Sequence, residues 1–421
     1  MGLLREIVLV ILGISLLTFL VLFGRIPAFR KTPIGYIYRL VWVRLPKLFI
    51  SLDSIVCGGR FTRYTTKTGQ YLFHENHPLV LIFFLTLLVC SEILFIPAVW
   101  NRLGPVHRLF VPIVVVQPYI FLYLSVYTTS SITPENHAWH MRLYPYDRTI
   151  FHPGNICRTC NFLKPARSKH CGLCNVCVAR HDHHCIWLRN CVGRNNYAYF
   201  LALLLSMSVL LGYGSFLGYT ILDDSLRKAL TPNVPLSSAL NHWSKGIPWS
   251  MYIEMWSLAI ADDIRVGSVF LLAALTTPLA VAMFCYHMYL IWAGMTTNES
   301  AKWSDWRDDV ADGVAFKAQY SRIYGNLFDD MVEPEVPWPK ENDQTLVFTD
   351  GHPPKEGHLL TSDRFSIIQP DNPDAKDDPR WNRVRSMKEV VNIYDRGLWV
   401  NLFDSLGIVT HPSAKHYASC T

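Results

Sequence analysis

Long apolar runs, separated by polar and mostly basic segments, dominate the pattern of the chain. Five runs reach the roughly 17 to 25 residues that an α-helix needs to cross a hydrocarbon core about 30 Å thick. They lie near 7–24, 79–100, 109–128, 197–222 and 266–292. We interpret the first as a retained membrane helix, because no basic leader precedes it and no clear cleavage site follows it. The pattern predicts an α-helical integral membrane protein with a bundle of about five transmembrane helices.

The polar segments between these runs divide the predicted protein into four parts. These are residues 1–128 with three spans and a basic loop at 25–78, residues 129–196 as a compact block without a span, residues 197–295 with two spans around a loop at 223–265, and residues 296–421 as a tail. Between 301 and 390 the tail is rich in Pro, Asp and Lys. That composition is typical of an extended, partly disordered linker.

Lys and Arg counts in the loops predict how the spans are oriented. The segment 25–78 holds nine basic and two acidic residues, and the segment 129–196 holds nine basic and three acidic residues. Because basic loops stay in the cytosol, both segments should face it. Five spans then place the N-terminus and the loop 223–265 in the lumen, and the tail in the cytosol.

Charge is distributed unevenly in a chain that is half apolar and only 17% charged. From residue 296 onward there are 14 basic and 21 acidic residues, whereas the preceding part has 25 basic and 12 acidic ones. A basic face beside a membrane suits anionic headgroups and phosphorylated small molecules, although such charges can also serve topology alone. Nucleic acid is not expected as a partner, because no nucleic-acid-binding signature accompanies the basic residues.

Cysteines are concentrated in the compact block. Of eleven in the chain, seven lie between 157 and 191, namely Cys157, Cys160, Cys171, Cys174, Cys177, Cys185 and Cys191. In a cytosolic segment, paired Cys-x-x-Cys spacings indicate metal sites rather than disulfides. Structural zinc commonly takes three Cys and one His, so two zinc sites would use six cysteines and leave one spare. Metal binding would also explain how a short block without a large core folds. Spacing alone does not identify the spare thiol.

Local chemistry favours Cys185 as the spare and reactive cysteine. A nucleophilic cysteine needs a base for its proton, and the base needs a group that orients it. Asp182, His183 and Cys185 supply all three groups within four positions, with His184 between them. Cys191 has no such neighbours, which suits a metal ligand better.

The whole segment resembles a known family. The stretch "CRTCNFLKPARSKHCGLCNVCVARHDHHCIWLRNCVGRNNYAYF" at 157–200 is similar to the cysteine-rich domain of the DHHC family of protein S-acyltransferases. Carried over residue by residue, the resemblance implies two structural zinc ions with four ligands each. The ligands are Cys157, Cys160, His170 and Cys177 for one ion, and Cys171, Cys174, His184 and Cys191 for the other.

The resemblance also implies a reaction. Cys185 would be the acylated nucleophile, His183 its general base and Asp182 the residue that positions His183. The co-substrate would be a long-chain acyl-CoA such as palmitoyl-CoA, whose acyl group passes first to Cys185 and then to a cysteine of another protein. Cationic candidates for the CoA phosphates are Arg167, Lys169, Arg180 and Arg189, each of which is alternatively a solvated charge. Trp187 would lie at the membrane interface or against the acyl chain, unless it only packs in the core.

Two further segments match the family. "TTNE" at 296–299 follows the last predicted span, and "NIYDRGLWVN" at 392–401 is similar to a C-terminal family motif. By resemblance, Thr297 would support Asp182. Tyr394 and Asn401 would stabilise the tail against the core.

The chain departs from the family pattern at Ile186, where Pro is usual, at Arg189, where Asn is usual, and in having five spans rather than four. Ile186 and the segment "GRIPAFRKTPIGYIYRL" resemble a fungal branch of the family, a palmitoyltransferase of the endoplasmic reticulum that acts on SNAREs. This resemblance implies an endoplasmic reticulum membrane protein whose substrates are membrane-anchored, with juxtamembrane cysteines. Two alternatives remain open at this point, a non-enzymatic zinc-binding membrane adaptor and a redox or metal sensor.

Overall fold

The computed structural model describes residues 33–75, 77–230, 249–324, 343–356 and 376–408, together with a few residues between 336 and 368. The helices are α1 (Pro33–Arg39), α2 (Leu45–Cys57), α3 (Arg60–His74), α4 (Leu79–Val99), α5 (Pro105–Tyr127), α6 (Pro134–Met141), α7 (Tyr197–Leu230), α8 (Trp249–Asp262), α9 (Ile264–Trp292), α10 (Thr297–Ala311), α11 (Tyr320–Tyr324) and α12 (Leu398–Ser405). The strands are β1 (Ser131–Ile132), β2 (Lys169–Cys171), β3 (Val176–Val178), β4 (His183–Cys185), β5 (Asn190–Val192), β6 (Ala315–Ala318), β7 (Thr345–Phe348), β8 (Leu359–Leu360), β9 (Ile367–Ile368) and β10 (Asn382–Arg383).

Four helices in the described part of the chain are long and apolar enough to cross a membrane. They run over Leu79–Arg102, Pro105–Tyr127, Tyr197–Lys228 and Ile264–Trp292. These helices match the last four predicted spans, while the first predicted span, near 7–24, lies outside the described residues. The protein is therefore a helical, multi-pass membrane protein whose cysteine-rich segment lies between the second and third of the described spans.

The chain divides into two compact units, and the smaller one takes its described residues from 33–77 and 226–262. It contains α1, α2, α3 and α8. The predicted basic loop at 25–78 is thus largely helical where it is described. Gly58 and Gly59 connect α2 to α3 with φ angles of 61° and 73°, a left-handed conformation that favours glycine. The buried Asp53 carboxylate accepts a hydrogen bond of 2.8 Å from the Thr62 amide and so fastens this turn.

The larger unit contains the four spans and the functional segments. At the end of the bundle, residues from three spans form one apolar cluster with residues of the cysteine-rich segment. The cluster includes Leu122 of α5, Phe200 of α7, Ile291 of α9, Leu188 and Cys185. Inside the bundle, Glu92 accepts a hydrogen bond of 2.6 Å from Tyr119. The bundle thus ends on the segment that carries the cysteines.

The cysteine-rich segment folds as two small antiparallel sheets joined by loops. One sheet has the strand order β1-β3-β2, and the other is the hairpin β4-β5. In the first sheet His170 lies opposite Cys177, and in the hairpin His184 lies opposite Cys191. Each facing pair therefore brings one His and one Cys close together across neighbouring strands.

The described parts of the predicted linker at 301–390 are folded. Strands β6 and β7 pair over four residues each, and β10 joins them on the other edge of β6. Trp303, Trp306, Ala315 and Leu346 are buried in one cluster with aromatic residues of the block before α7. The Pro-rich and Asp-rich composition conceals this core, because its few apolar residues are dispersed in the sequence and meet only in three dimensions.

A tight turn at Gly294 carries the chain from α9 into α10. Gly294 has a φ of 66°, and a Cβ atom there would lie 2.5 Å from the Asp395 Cα atom. Only glycine fits this combination of a left-handed backbone and close approach. The turn brings residues 296–299 back toward the cysteine-rich segment immediately after the last span.

Candidate active site

The first cluster of possible metal ligands consists of Cys157, Cys160, His170 and Cys177. Their ligand atoms all lie within 4.8 Å of one another. The His170 Nδ1 atom is 3.4 Å from the Sγ atoms of Cys157 and Cys160 and 3.8 Å from that of Cys177. The four side chains thus point to one small volume.

The second cluster has the same composition and consists of Cys171, Cys174, His184 and Cys191. The His184 Nδ1 atom lies 3.6, 3.3 and 3.5 Å from the three sulfur atoms in that order, and the sulfurs of Cys174 and Cys191 are 3.6 Å apart. Tetrahedral zinc with ordinary bond lengths would give edges of about 3.5 Å from sulfur to nitrogen and about 3.8 Å from sulfur to sulfur. Both clusters have the size and the ligand types that a zinc ion requires.

Strand geometry separates the two clusters although their ligands alternate in the sequence. Successive side chains of a strand point to opposite faces. In β2, His170 therefore joins the first cluster while its neighbour Cys171 joins the second. In β4, His184 points to the second cluster, whereas His183 and Cys185 share the opposite face. This alternation leaves one His and one Cys free of both metal clusters.

Asp182 and His183 form a hydrogen-bonded pair beside these clusters. The Asp182 Oδ2 atom lies 2.7 Å from the His183 Nδ1 atom, and the carboxylate is buried. Burial opposes ionisation of Asp182, but the hydrogen bond and the charge of His183 hold its pKa below the usual value. Burial likewise lowers the pKa of His183, yet the hydrogen bond to Asp182 and the interaction with the Cys185 sulfur raise that pKa to about 9.

Cys185 lies where the cysteine-rich segment meets the bundle. Its side chain is buried in the apolar cluster, and a tight turn follows in which the Leu188 amide donates to the Cys185 carbonyl at 3.1 Å. Ile186 and Trp187 in this turn are exposed, and the Trp187 ring packs edge-to-face on Phe84 with 6.1 Å between centroids. The Cys185 thiol is therefore bordered by apolar side chains of the spans and of its own turn.

The first turn of α10 supports Asp182. The Thr297 amide donates a hydrogen bond of 2.9 Å to Asp182 Oδ1, and the hydroxyl of Thr296 donates to the His181 carbonyl at 3.1 Å. Thr296 is also the N-cap of α10, where its hydroxyl accepts from the Glu299 amide. Because first-turn amides carry partial positive charge, this contact favours the ionised carboxylate. Thr297 thus reaches Asp182 through its backbone rather than its side chain.

Arg167, a candidate for a CoA contact, instead forms a buried ion pair with Glu299. Its Nε and Nη2 atoms lie 2.7 and 2.6 Å from the two carboxylate oxygens, and both side chains are at most 2% exposed. Arg167 Nη2 also donates to the Gly294 carbonyl at 3.3 Å. These contacts favour a structural role in joining the cysteine-rich segment to the end of the last span.

Arg180, a second such candidate, is also buried and faces Asp404 of α12. Asp404 lies 3.6 Å from Arg180 and 3.7 Å from both Arg167 and Arg194. Arg180 also donates to the Ser405 hydroxyl at 2.7 Å. Burial opposes ionisation of Asp404, but the three guanidinium groups hold its pKa below the usual value. One carboxylate of the tail therefore lies among three buried arginines, one of which, Arg167, is also paired with Glu299.

Lys169 differs from these arginines, because it is exposed at the edge of a basic cleft. The Lys169 Nζ atom donates to Asn298 at 3.0 Å. The cleft has a volume of about 220 Å³, and Lys164 and Lys302 line it together with Lys169. None of the residues that line it is acidic. It is therefore a suitable place for an anionic group.

The turn after Cys185 contains one departure from the family pattern, Arg189, and its backbone shows why Asn suits this position. Arg189 has a φ of 52°, a left-handed conformation that Asn adopts more readily than Arg. The next residue, Asn190, donates from its side-chain amide to the carbonyls of Ser125, Val126 and Thr128 at 2.9 to 3.1 Å. It thereby satisfies the last carbonyls of α5 and fixes the turn to the end of that span.

Tyr394 and Asn401 connect the tail to the same region. The Tyr394 hydroxyl donates to the Pro145 carbonyl at 2.8 Å, and the guanidinium of Arg167 lies over its ring at 4.5 Å. The Asn401 side chain donates to Asp395 at 2.9 Å and to the Trp292 carbonyl at 3.4 Å. Both residues are buried, and their contacts join the tail to Pro145 of the block before α7 and to Trp292 at the end of α9.

Two buried residues near the site were missed in the sequence. Asp404 had no recognisable signal, since it lies in a short helix near the end of the tail. His287 did have one, because an ionisable residue within a membrane span is a functional candidate by default. Its ring lies 6.0 Å from that of His183, measured between centroids.

Comparison with known proteins agrees with this geometry. The family model of the DHHC palmitoyltransferases matches residues 150–304. Palmitoyltransferase swf1 of Emericella nidulans is 53% identical over 409 residues, which cover 97% of this chain and 98% of the relative. Palmitoyltransferase SWF1 of Neurospora crassa is 40% identical over 410 residues, which cover 96% of this chain and 92% of the relative. Palmitoyltransferase swf1 of Schizosaccharomyces pombe is 32% identical over a region that covers 92% of each chain. Because the similarity runs through the spans and the tail as well as the cysteine-rich segment, the chain belongs to the DHHC palmitoyltransferase family.

Proposed function

We propose that this palmitoyltransferase carries the acyl group on Cys185 between acyl-CoA and a cysteine of a membrane-associated protein. The observation that carries the proposal is the division of labour in the cysteine-rich segment. Six of its seven cysteines enter the two metal clusters, whereas Cys185 lies outside them and beside the hydrogen-bonded pair of His183 and Asp182. A cysteine with its own oriented base is the arrangement that nucleophilic catalysis requires.

In the first step His183 takes the thiol proton of Cys185, and the raised pKa of His183 favours the resulting pair of thiolate and imidazolium. The sulfur attacks the carbonyl carbon of the acyl thioester, a new sulfur–carbon bond forms, and the bond to the CoA sulfur breaks. The proton held by His183 passes to the departing CoA thiolate. In the second step His183 takes the proton of the acceptor cysteine, whose sulfur displaces Cys185 from the acyl group, and Cys185 regains a proton. Since one thioester replaces another each time, the enzyme supplies activation and position rather than driving force.

We propose zinc as the metal of both clusters. Zinc bound by the eight Cys and His ligands would supply the folding free energy that this loop-rich segment lacks in apolar core. The residues of the chain then do the chemistry. His184 and Cys191 face each other across the β4-β5 hairpin, so a metal there would fix the strand that carries His183 and Cys185.

The apolar border of Cys185 supports binding of a long acyl chain between the ends of the spans. Trp187 and Phe84 lie at its edge, where an acyl chain can enter from the membrane. The basic cleft of Lys164, Lys169 and Lys302 is our proposed contact for the CoA phosphates. Arg167 and Arg180 would then act by holding the cysteine-rich segment in place, because their guanidinium groups are already buried against carboxylates.

We further propose that the acceptors are membrane-anchored proteins with juxtamembrane cysteines, SNAREs among them, and that the protein works in the endoplasmic reticulum with its active site on the cytosolic side. The position of Cys185 at the ends of the spans supports acceptors held close to a membrane. The nine basic residues at 129–196 support the cytosolic orientation. Proximity labelling in cells that carry Cys185→Ala would identify the neighbouring proteins and their compartment.

Purified full-length protein incubated with labelled palmitoyl-CoA tests the central proposal. We expect one hydroxylamine-sensitive label per chain, its transfer to an acceptor with a juxtamembrane cysteine, and loss of both in Cys185→Ser. Cys90→Ser, which changes an exposed cysteine of α4, is the matched control and should keep the label. If Cys185→Ser were labelled like the wild type, the assignment of the nucleophile would fail.

A further inference from the structure

His287 is a buried polar residue that the proposed reaction does not use. It lies on α9, five residues before the end of the helix, and its side chain is fully buried. Its Nδ1 atom is 3.0 Å from the Tyr197 hydroxyl, whereas its Nε2 atom has no hydrogen-bond partner among the described residues. An unsatisfied buried polar group is destabilising, so its retention calls for an explanation.

The surroundings of His287 point to Asp182 and His183. One ring nitrogen of His287, a carboxylate oxygen of Asp182 and a ring nitrogen of His183 all lie within 4.8 Å of one another. Phe200 packs against both rings, with centroids 5.3 Å from His183 and 5.0 Å from His287. The space between the three polar groups is therefore small, shielded by an aromatic side chain and lined by complementary donors and acceptors.

We take the Tyr197 hydroxyl as the donor in its hydrogen bond to His287 Nδ1, which leaves Nε2 as the nitrogen that carries the proton. A tyrosine hydroxyl that donates to Nδ1 leaves the ring proton on Nε2, because a neutral imidazole has one donor and one acceptor nitrogen. That Nε2–H group is then a donor without a partner among the described residues, on a ring of which one nitrogen lies within 4.8 Å of an Asp182 carboxylate oxygen. A separation of up to 4.8 Å is longer than a direct hydrogen bond but fits one bridging water molecule.

We propose that His287 is a positioning residue for acyl transfer, with its Nε2–H group joined through one water molecule to the Asp182–His183 pair. Asp182 already accepts from the Thr297 amide and from His183, and a carboxylate has lone pairs left for a further donor. The third donor holds the carboxylate in the plane that His183 needs in order to face Cys185. Tyr197, His287, Asp182 and His183 then form one buried polar chain behind the nucleophile.

A third metal ion is the competing occupant of this space. Asp182 and His183 are bonded to each other at 2.7 Å, so an ion would have to displace that hydrogen bond to reach their ligand atoms. Metal analysis separates the two ideas. We expect two zinc ions per chain in the wild type and in every His287 variant, whereas a third ion that disappears with His287 would overturn the proposal.

The test measures single-turnover acylation of the full-length protein by labelled palmitoyl-CoA. His287→Leu keeps the approximate volume but removes the hydrogen bonds, His287→Gln keeps an N–H donor, and Tyr197→Phe removes only the hydroxyl. We expect His287→Leu to lower the rate constant at saturating palmitoyl-CoA by roughly 10- to 100-fold, the range found when partners that orient reactive ligands are removed. His287→Gln should recover to within about fivefold of the wild type, and Tyr197→Phe should lie between them.

A purely structural role would give a different result. We expect the palmitoyl-CoA concentration for half-maximal rate to change less than about twofold, with melting temperature unaltered in the Gln and Phe variants. His107→Leu is the matched control, because His107 makes a similar 2.7 Å hydrogen bond to Tyr213 elsewhere in the bundle. Wild-type rates in both His287→Leu and Tyr197→Phe would overturn the proposal, and so would rate losses that only follow melting temperature.

The inference rests on the proposed role of Cys185, but the two proposals fail in different experiments. If Cys185 is not the nucleophile, Cys185→Ser keeps its label.

Discussion

Arg167 and Glu299 lie 132 positions apart in the sequence and form one buried, two-pronged ion pair. Arg167 belongs to the cysteine-rich segment, and Glu299 belongs to the first turn of α10. The Glu299 carboxylate also accepts a hydrogen bond of 2.9 Å from the Thr296 amide. The pair therefore ties the metal-binding segment to the helix whose Thr297 amide supports Asp182.

Loss of this ion pair should destabilise the protein strongly. Glu299→Gln leaves the Arg167 charge buried without its carboxylate, and breaking such pairs typically costs about 3–5 kcal/mol. We expect a clearly lower melting temperature in detergent and a parallel loss of acylation. Asp308→Asn changes an exposed acid on the same helix. Its free energy of unfolding should stay within about 0.5 kcal/mol of the wild-type value. Equal melting of the two variants would contradict the role of the pair.

The backbone contact of Thr297 to Asp182 can be removed by itself. Thr297 is the first helical residue of α10, where proline is tolerated, and Thr296 before it has the extended conformation that a following proline requires. Thr297→Pro deletes the N–H group together with the side chain, and loss of the N–H group should lower acylation about tenfold or more, as for a lost hydrogen bond to a charged group. Thr297→Ala keeps the amide and should stay within a few-fold. Single-turnover labelling distinguishes the two, and a larger loss in Thr297→Ala would contradict this reading.

Metal content should report the two clusters separately. His170→Ala removes one ligand from the first cluster and His184→Ala one from the second, so each variant is expected to hold about one zinc ion per chain instead of two. Cys185→Ser should retain both ions, because its thiol belongs to neither cluster. Elemental analysis of purified protein checks these numbers. Two ions in His170→Ala or His184→Ala, or fewer than two in Cys185→Ser, would contradict the ligand sets.

Asp404 should be required for the tail to stay attached. Asp404→Asn preserves the size of the side chain but leaves three buried guanidinium groups near one remaining carboxylate, that of Glu299. We expect a loss of several kcal/mol, seen as a lower melting temperature and faster proteolysis after α9. Asp377→Asn, an exposed acid of the tail, is the control. Additional replacement of Arg194 by Met should recover part of the loss, because it removes one uncompensated charge.

The left-handed backbone of Arg189 predicts a stabilising substitution. Asn and Gly adopt a φ of 52° at lower cost than other residues, so Arg189→Asn should stabilise the turn after Cys185 by up to about 1 kcal/mol. Arg189→Ala removes the same side chain without relieving the backbone and serves as the control. Comparison of melting temperatures tests this, and a rise in Arg189→Ala equal to that in Arg189→Asn would assign the effect to the lost charge instead.

The sequence by itself was enough for the features that depend on local patterns. Four of the five predicted spans correspond to helices in the described residues, because about twenty consecutive apolar residues have few other stable conformations beside a membrane. The structure also gathers the eight residues that the family resemblance implies as ligands into two groups of four. Their spacing in Cys-x-x-Cys pairs is local, and the position of Cys185 beside Asp182 and His183 is equally local.

The tertiary structure alone decided which distant residues complete the site. Asp404 meets Tyr144 across 260 positions, and His287 of α9 comes to the Asp182–His183 pair of the cysteine-rich segment. Sequence spacing carries no information about such meetings, because they depend on how helices pack and where turns direct the chain. The same holds for Arg167 and Arg180, which the sequence suggests as contacts for CoA phosphates or as solvated charges and which the fold buries against carboxylates. Local pattern thus led to the residues proposed to react, while packing determined which charges and hydrogen bonds hold them in position.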